Sequence, residues 1–333
     1  MPQFERVKDP WRELRKDLYG NVEPTVELEA ITMPLVNNFG DYLPKAIPEE
    51  SINHYDVEPN VDFSVIEELP AISAGVSYGA KDKLESDHER AIKLNKKLVE
   101  MGHHTPLEAI QFNFFVSGIS KACGAQISRH RCGQGHVSAS RRFQEADPKF
   151  VYPVLDYISD EEEIKLRYGM LAHSYKHLYT EYQRLRSDKI WWWEGVMITG
   201  DTPDPPSKYK EFAALPLHKE DARMVLPVSY ATERTWWINV RGLRDFFRLR
   251  LAADAEWEIR RLAWMIFDMV EPLLPSLFED LRPERIRYSS PSKARIIEAY
   301  RARRERVVKE FTKEEFFDLE YPKPLDKDPS CNG

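Results

Sequence analysis

Alternating apolar and polar residues predict two β-strands in the first third of the chain. One strand is expected near 26–32, and the other covers 111–116, where two phenylalanines and a valine alternate onto one face. Ser117-Gly118 is expected to end the second strand. Ser117 or Ser120 could then cap the N-terminus of a helix that leads into a basic segment.

Apolar residues at helical spacing predict further helical segments. They cover residues 83–101, 160–186, 219–225 and about 239–274. Gly102 is expected to end the first of them, because glycine is common just past a helix C-terminus. The segment 187–218 contains three consecutive tryptophans and a PDPP run, and it is interpreted as a loop excursion. Much of 1–60 is interpreted as an irregular extension.

The composition is that of a globular protein. Of the 333 residues, 42% are hydrophobic and 31% are charged, and the formal net charge is −7. This acidic balance argues against general nucleic-acid binding and suits a small anionic ligand held by local positive charge. Three cysteines without a CxxC pair indicate neither a disulfide framework nor a zinc site. No apolar run has transmembrane length and the N-terminus lacks a signal-peptide core, so we expect a cytoplasmic protein with no membrane partner.

A first group of chemically active side chains lies at 102–108. His103 and His104 precede Thr105, and Glu108 follows three residues later. Thr105 and Glu108 have the spacing of a capping box, so one interpretation is a well-capped helix start. The other interpretation is that the imidazole, hydroxyl and carboxylate groups face a ligand.

The second group is strongly basic. Four arginines fall within fourteen residues of an acidic protein: Arg129, Arg131, Arg141 and Arg142. Guanidinium groups match phosphate oxygens in bidentate fashion, and the glycines between them let the backbone approach a ligand. The pattern therefore predicts a pocket for a polyanion, against the alternative of a solvated basic surface. A zinc site made from His130, Cys132 and His136 would lack a fourth ligand at a familiar spacing.

The third group lies on the predicted helix that starts at Asn239. Arg250 shares a stripe of this helix with leucine and phenylalanine side chains. Because burying an unpaired charge is costly, Arg250 requires a partner. That partner is either Asp254, four residues further on, or an anionic ligand. Arg241 could likewise pair with Asp245.

Taken together, these groups resemble the sequence pattern of the flavin-dependent thymidylate synthases. That pattern has a His-x-Ser/Thr-x-x-Glu block, an Arg-His-Arg followed by Ser-x-Arg, an Ala-Arg-hydrophobic-Leu-Pro segment, and an Asn-x-Arg helix ending near Leu-Arg and Trp-Glu-Ile. The chain supplies these blocks in order, as His103/Thr105/Glu108, Arg129-His130-Arg131 with Ser140-x-Arg142, Ala222-Arg223-Met224-Val225-Leu226-Pro227, Asn239-Val240-Arg241, Leu249-Arg250 and Trp257-Glu258-Ile259. The resemblance spans roughly 70–281.

The resemblance implies a role for each of these side chains. FAD would be bound by Thr105, Glu108, Arg129, His130, Arg131, Asn239 and Arg241. A pyrimidine nucleotide, with dUMP favoured, would be bound by Gln126, Ser138, Ser140, Arg142, Arg223 and Arg250. The catalytic residues would be Arg250, Ser140 and His103, with His103 near the folate and the flavin.

The resemblance also implies the activity, the assembly and the fold. The family methylates dUMP to dTMP with FAD, NADPH and methylenetetrahydrofolate, uses no cysteine nucleophile, and forms homotetramers whose sites combine residues from several subunits. The implied fold is α+β, an antiparallel sheet with long packed helices. An N-terminal extension at 1–69 would precede a catalytic domain at 70–281, which carries the insertion 187–218, and a charged tail would follow at 282–333.

The chain departs from the family pattern at several positions on the nucleotide or folate side. The departures include Ser138, Phe143, Asp254 and Glu256. A relative that methylates or hydroxymethylates C5 of another pyrimidine nucleotide is therefore an alternative. A nucleotide-binding protein without enzymatic activity is a further one.

Overall fold

An antiparallel sheet of four strands occupies the centre of the fold. The computed structural model describes residues 6–32, 63–85, 87–140, 142–156, 158–193, 196–199, 210–213 and 215–282. In chain order the strands are β1 (Thr25–Ile31), β2 (Gln111–Ser120), β3 (Gln134–Ser138), β4 (Lys189–Trp193), β5 (Val196–Thr199), β6 (Lys210–Ala213) and β7 (Ala231–Asn239). The central sheet has the order β1-β2-β7-β3, and all neighbouring strands in it are antiparallel.

Helices of very different length connect the strands. They are α1 (Arg12–Arg15), α2 (Phe63–Ser77), α3 (Lys81–Glu85), α4 (His88–Glu100), α5 (Lys121–Ile127), α6 (Glu161–Leu185), α7 (Lys219–Ala222), α8 (Val240–Arg250), α9 (Trp257–Val270) and α10 (Pro275–Phe278). Short 3-10 helices cover Thr105–Ala109, Arg223–Val225 and Glu279–Leu281. The α+β prediction is confirmed, as are the helices expected at 160–186 and 219–225. None of the described helices has the length and apolar character needed to cross a membrane.

Two hydrophobic clusters form the interior. The larger one joins one face of β2 and β7 to α8 and α9, and it includes the fully buried Phe114, Trp236 and Phe247. The second is rich in tyrosine and packs along α6, where the ring of Tyr175 stacks on Phe150 at 4.8 Å between centroids. The apolar face of α8 is therefore anchored to the central sheet, which fixes the position of the arginines that this helix carries.

Strand β2 is longer than its sequence pattern predicts. It continues through Gly118 to Ser120, with a register shift against β7 between Val116 and Ile119. Gly118 has φ 67, and a Cβ at this position would lie 2.1 Å from the carbonyl oxygen of Glu23. The expected strand end at Ser117 is therefore wrong, because glycine forms an irregularity inside the strand rather than its terminus. Ser120 caps α5 by accepting from the Cys123 N–H at 3.0 Å, as one of the two predicted caps.

The single helix predicted at 239–274 is wrong, because two helices, α8 and α9, cover this segment. The linker 251–256 contains neither glycine nor proline and is rich in alanine, so its composition does not reveal the break. Glu256 begins the second helix by accepting from the backbone N–H groups of Glu258 and Ile259, at 3.2 and 3.4 Å. This N-cap contact, which sequence spacing did not indicate, separates α9 from α8.

Two other predicted boundaries are also corrected. Two helices cover the segment 83–101 rather than one: α3 ends at Glu85, and α4 starts at His88, where Asp87 caps it by accepting from the Arg90 N–H at 3.0 Å. Gly102 follows with φ 73 and ends the helix as predicted.

The segment 187–218 is not simply a loop, since β4 pairs with β5 and β6 in a second antiparallel sheet. Its isoleucine and tryptophan residues favour strands, whereas the PDPP run lies outside the described residues.

The described N-terminal residues pack onto the body of the fold. β1 is the edge strand of the central sheet beside β2, which confirms the strand predicted near 26–32. Arg15 is 1% exposed and donates to Asp9 at 2.7 Å and to the hydroxyl of Tyr168 at 3.3 Å. The guanidinium of Arg6 lies 4.6 Å from the ring centroid of Trp264. The rest of 1–60, and the predicted tail beyond residue 282, lie outside the described residues.

Candidate active site

The guanidinium of Arg250 contacts the imidazole of His130 at the end of α8. Arg250 Nε donates to His130 Nε2 at 2.9 Å, and this contact joins segments 120 residues apart in sequence. The imidazole also packs edge-on against Phe246, with ring centroids 5.0 Å apart. Because α8 ends at Arg250, the helical pairing predicted between Arg250 and Asp254 has the wrong geometry.

The surroundings of His130 fix its charge. Burial, followed by the charge of Arg250, lowers the pKa of His130 to about 4. Burial also lowers the pKa of Arg250, although a guanidinium remains protonated near neutral pH. His130 is therefore neutral near pH 7. Since Nε2 accepts from Arg250, the ring proton is assigned to Nδ1.

We expect His130 to titrate near pH 4 in the folded protein, below its ordinary pKa of 6.5. The folded state then binds fewer protons than the unfolded chain, so the stabilisation by neutral His130 is present above about pH 6.5 and is lost as the pH falls towards 4. NMR of histidine-labelled protein measures the midpoint, and a His130→Asn variant identifies the resonance. A midpoint at the ordinary value would contradict the buried contact with Arg250.

A glycine-containing loop connects His130 to β3 and lies against the start of α8. The carbonyl oxygen of Gly133 accepts from the Asn239 N–H at 2.8 Å, and Asn239 caps α8 by accepting from the Gly242 N–H at 2.9 Å. Gly133 has φ 59, and a Cβ there would lie 2.2 Å from the Asn239 amide nitrogen. A Cβ on Gly242 would lie 2.3 Å from the carbonyl oxygen of Cys132. The loop can approach the helix this closely because neither glycine has a side chain.

An ion pair links α8 to the first of the predicted groups. Arg241 donates to Glu108 at 2.5 Å, and both side chains are partly exposed. This replaces the predicted pair of Arg241 with Asp245, which instead lies 3.6 Å from Arg248. The contact places one member of the 102–108 group at the first turn of α8.

Of the other residues in that group, two face the surface and His104 is half-buried. His103 and Thr105 are exposed, and the His103 N–H donates to Leu98 O at 2.9 Å. Thr105 begins a 3-10 helix for which no side chain forms a capping hydrogen bond. The capping-box interpretation of Thr105 and Glu108 is therefore wrong, and the carboxylate is used in the contact with Arg241 instead.

Two arginines beside His130 have no partner among the described residues. Arg129 and Arg131 are exposed, and within the part of the chain that the structure describes neither side chain forms an ion pair or hydrogen bond. The charge of Arg129 acts to lower the pKa of Arg250. The Arg-His-Arg segment thus presents two unpaired guanidinium groups next to the Arg250–His130 contact, which suits an anionic ligand.

Ser140, Arg142 and Arg223 meet around Glu220. Arg142 Nε donates to the Glu220 carboxylate at 2.7 Å, and Arg223 Nε donates to the Glu220 carbonyl oxygen at 3.1 Å. Ser140 Oγ accepts from the Arg142 N–H at 3.3 Å. The structure therefore brings three predicted nucleotide residues together. Glu220 was missed by the sequence reasoning, because it belongs to no motif and shows its role only through contacts distant in sequence. Arg141 lies outside the described residues.

The predicted residues form separate groups within one chain. Gln126 is half-buried on α5, and Ser138 lies on β3 opposite Arg234 of β7. Among the described residues, no side-chain hydrogen bond or ion pair connects the Arg250–His130, Glu108–Arg241 and Arg142–Glu220 contacts to one another. Within the described residues, these three contacts are therefore separate and do not form one hydrogen-bonded network.

Known proteins share both the sequence pattern and the fold. The family model described as thymidylate synthase complementing protein matches residues 62–276, more than half of the chain. A flavin-dependent thymidylate synthase from Pyrococcus furiosus is 30% identical over 199 residues, which cover 60% of this chain and 67% of that protein. Another from Thermosipho africanus is 30% identical over 207 residues, which cover 62% and 82%.

A solved structure agrees in fold. The crystal structure of a UMP/dUMP methylase from Streptomyces cacaoi bound with 5-Br dUMP has a TM-score of 0.52 at 19% identity, covering 77% of this chain and 93% of that one. The resemblance inferred from the motifs is therefore confirmed. The chain belongs to the thymidylate synthase complementing protein family, which includes flavin-dependent thymidylate synthases among its curated members.

Proposed function

We propose that the protein is a flavin-dependent thymidylate synthase, which methylates dUMP reductively to dTMP. The observation that carries the proposal is the bond between Arg250 and His130. It joins the helix expected to bind the nucleotide to the Arg-His-Arg segment expected to bind the flavin. Membership of the family supports the same reaction.

The donor groups on the flavin side fit FAD. Arg129 and Arg131 are exposed and unpaired among the described residues, and two guanidinium groups suit the pyrophosphate of a dinucleotide. Glu108, Asn239, Thr105 and Arg241 would supply further polar atoms around the start of α8. His130 would supply one near the end of this helix, beside Arg250. FAD, when bound, supplies the redox chemistry and takes part in moving the one-carbon unit.

On the nucleotide side, Arg142 would have to exchange the carboxylate of Glu220 for the phosphate of the nucleotide. Arg142 and Arg223 would neutralise the 5′-phosphate, and Ser140 would be positioned beside them, together with Ser138 and Gln126. Arg142 is held by Glu220 in the described chain, but the two side chains are 60% and 38% exposed. Exposed ion pairs contribute about 1 kcal/mol or less, so a phosphate group can replace Glu220 at little cost.

Arg250 would stabilise the negative charge that develops on the uracil ring. His130 accepts the hydrogen bond from Arg250 Nε, and no described residue accepts a hydrogen bond from the two Nη groups. Those groups are therefore available to a ligand oxygen. Because neutral His130 adds no second positive charge at this point, it orients the guanidinium without competing for the anion.

The reaction needs no cysteine nucleophile. Burial raises the pKa of the Cys123 thiol, so this side chain remains protonated near neutral pH. Cys132 is exposed, on the loop beside the start of α8. Neither thiol is assigned a role in forming a bond to the pyrimidine.

The remaining assignments complete the proposal. NADPH would reduce the flavin, and methylenetetrahydrofolate would donate the carbon, with His103 near the folate. The catalytic domain would cover 70–281, between the extension 1–69 and the tail 282–333. A homotetramer in the cytoplasm would let residues of different copies complete the groups that do not meet within one described chain.

Flavin content tests the cofactor side of the proposal. Purified full-length protein reconstituted with FAD should retain about one flavin per chain, and addition of dUMP should change the flavin absorbance because the two ligands share one site. A carefully reconstituted protein that retains no flavin would point to nucleotide binding without this chemistry.

A panel of pyrimidine nucleotides tests the alternative substrate. Mass spectrometry of the products from dUMP, UMP and dCMP should show a gain of one CH2 unit on dUMP. A gain on another nucleotide with none on dUMP, or a hydroxymethyl product, would favour the relative that modifies a different pyrimidine.

A further inference from the structure

Arg234 is a buried cation that has no counter-charge among the described residues. It lies within β7 and is 5% exposed. Its Nη1 donates one long hydrogen bond to Ser128 Oγ at 3.4 Å, its Nε has no partner, and no described carboxylate pairs with it. A guanidinium carries five N–H donors, and buried donors are normally satisfied. Arg234 therefore retains both charge and hydrogen-bonding capacity that the described residues do not use.

The other buried arginines show the usual arrangement. Among the described residues, three arginines are buried: Arg15, Arg234 and Arg244. Arg244 bonds both carboxylate oxygens of Asp280, at 2.7 and 2.6 Å, and Arg15 bonds Asp9 at 2.7 Å. Arg234 is thus the exception among these three described arginines, and burial lowers the pKa of its guanidinium.

The Arg234 guanidinium packs closely against Gly124 and has polar neighbours. A Cβ on Gly124 would lie 2.2 Å from Arg234 Nη2. The guanidinium can therefore lie here only because residue 124 has no side chain. His136 Nε2 lies 3.2 Å from Ser128 Oγ, and Ser138 is the cross-strand partner of Arg234. These neighbours are hydroxyl and imidazole groups, and none of them is an acid.

This cluster borders the part of the site assigned to the nucleotide. Gly124 and Ser128 lie on and just after α5, the helix that carries Gln126. The charges of Arg234 and Arg250 both lower the pKa of Cys123, against the larger effect of burial, so both guanidinium groups lie within electrostatic reach of one thiol. Arg234 packs against the end of α5, through Gly124 and Ser128, although it belongs to none of the family motifs.

We propose that Arg234 is a further substrate-binding residue, which holds the 5′-phosphate of the nucleotide with Ser128 and Ser138 beside it. The inference rests on the proposed nucleotide site. A phosphate is favoured over the uracil oxygens because an anion neutralises a buried guanidinium and an uncharged carbonyl does not. Arg142 already has a carboxylate partner in Glu220, whereas Arg234 has none among the described residues.

A purely structural role for Arg234 makes a different thermodynamic prediction. Arg234 could stabilise the last turn of α5, where Ser128 Oγ donates to Gly124 O at 2.9 Å. Its removal would then destabilise the protein without ligand. If Arg234 instead serves to bind a phosphate, its replacement removes a buried charge that is unpaired in the ligand-free protein. The ligand-free protein should then be no less stable, whereas its affinity for phosphate should fall.

The experiment compares Arg234→Met with Arg244→Met in the full-length protein. Methionine keeps much of the side-chain length without the charge, and Arg244 supplies a paired buried arginine as the matched control. The melting temperature without ligand and the Kd values for dUMP, deoxyuridine and inorganic phosphate are measured for both variants and for the unsubstituted protein. Arg234→Lys, which restores a charge at the site, shows whether the effect depends on that charge.

We expect Arg234→Met to melt no lower than the unsubstituted protein and to bind dUMP about 10- to 100-fold more weakly, with deoxyuridine affinity unchanged. Arg244→Met should melt about 5 °C lower or more, with dUMP affinity unchanged below its melting temperature. Arg234→Lys should recover part of the dUMP affinity, and inorganic phosphate should follow the dUMP pattern.

Unchanged dUMP affinity in Arg234→Met would overturn the inference, whatever happens to stability. Loss of deoxyuridine affinity to the same extent would overturn the assignment to the phosphate. If the unsubstituted protein binds no dUMP, the proposed function fails first and this inference fails with it. Normal dUMP binding by the unsubstituted protein, with no difference in Arg234→Met, would leave the proposed function intact and remove only Arg234 from the site.

Discussion

Replacing Arg250 with alanine is expected to lower kcat for dTMP formation about 10²- to 10³-fold, as loss of a preorganised donor to a developing anion does. Flavin content should fall much less, because Arg129, Arg131 and Arg241 remain. The substitution also removes the hydrogen bond to His130 Nε2. Turnover and FAD absorbance measured on the same purified sample separate these two effects.

Arg248→Ala is the matched control for this prediction. Arg248 lies on the same helix, is partly exposed and pairs with Asp245 at 3.6 Å. Its loss should change kcat less than about threefold, in keeping with the small effect of surface substitutions. Equal losses of turnover and flavin in Arg250→Ala would show that Arg250 maintains the fold around His130 rather than serving the pyrimidine.

Gly133→Ala is expected to lower the free energy of unfolding by about 3 kcal/mol and to reduce flavin content strongly. Alanine is strained at φ 59, and its Cβ would lie 2.2 Å from the side chain of Asn239. Relief of that overlap would displace the residue that caps α8. The Arg-His-Arg loop and the start of α8 would then separate. Denaturant unfolding and FAD absorbance measure the two consequences.

Gly79→Ala isolates the backbone contribution to that loss. Gly79 has φ 61, and a Cβ there would meet nothing within 4 Å. Its replacement should therefore cost about 1 kcal/mol, from backbone strain alone, and leave flavin content unchanged. If the two variants lose equal stability, the contact between Gly133 and Asn239 is not what holds the loop to the helix.

Local sequence patterns were sufficient where each element is determined by nearby residues. The alternating phenylalanines of β2 and the long amphipathic helix α6 are such cases, and both were predicted in place. The patterns predicted an element boundary wrongly where the same residues are compatible with two conformations and a single tertiary or capping contact selects one of them. Gly118 lets β2 continue because its Cα lies against the carbonyl group of Glu23, and Glu256 starts a new helix after an alanine-rich linker. Neither contact leaves a repeating pattern of apolar and polar residues in the sequence, so neither could be predicted from such a pattern.

The candidate site shows the same division. Motif spacing selected Arg250 and His130 separately, and their contact across 120 residues appears only in the folded chain. Glu220 and Arg234 lie outside every motif, since an isolated acid or arginine has no signature in sequence. Their relevance comes from burial and partners, which the fold alone determines. Glu220 pairs with Arg142, and no described carboxylate pairs with Arg234.

The mass of the product made from dUMP tests the central claim most directly. Full-length protein loaded with FAD is incubated with dUMP, NADPH and methylenetetrahydrofolate whose methylene carbon carries an isotopic label. We expect a labelled product heavier than dUMP by one CH2 unit and identical in chromatography to dTMP. Protein that holds FAD and binds dUMP, yet transfers no labelled carbon to it, would contradict the account.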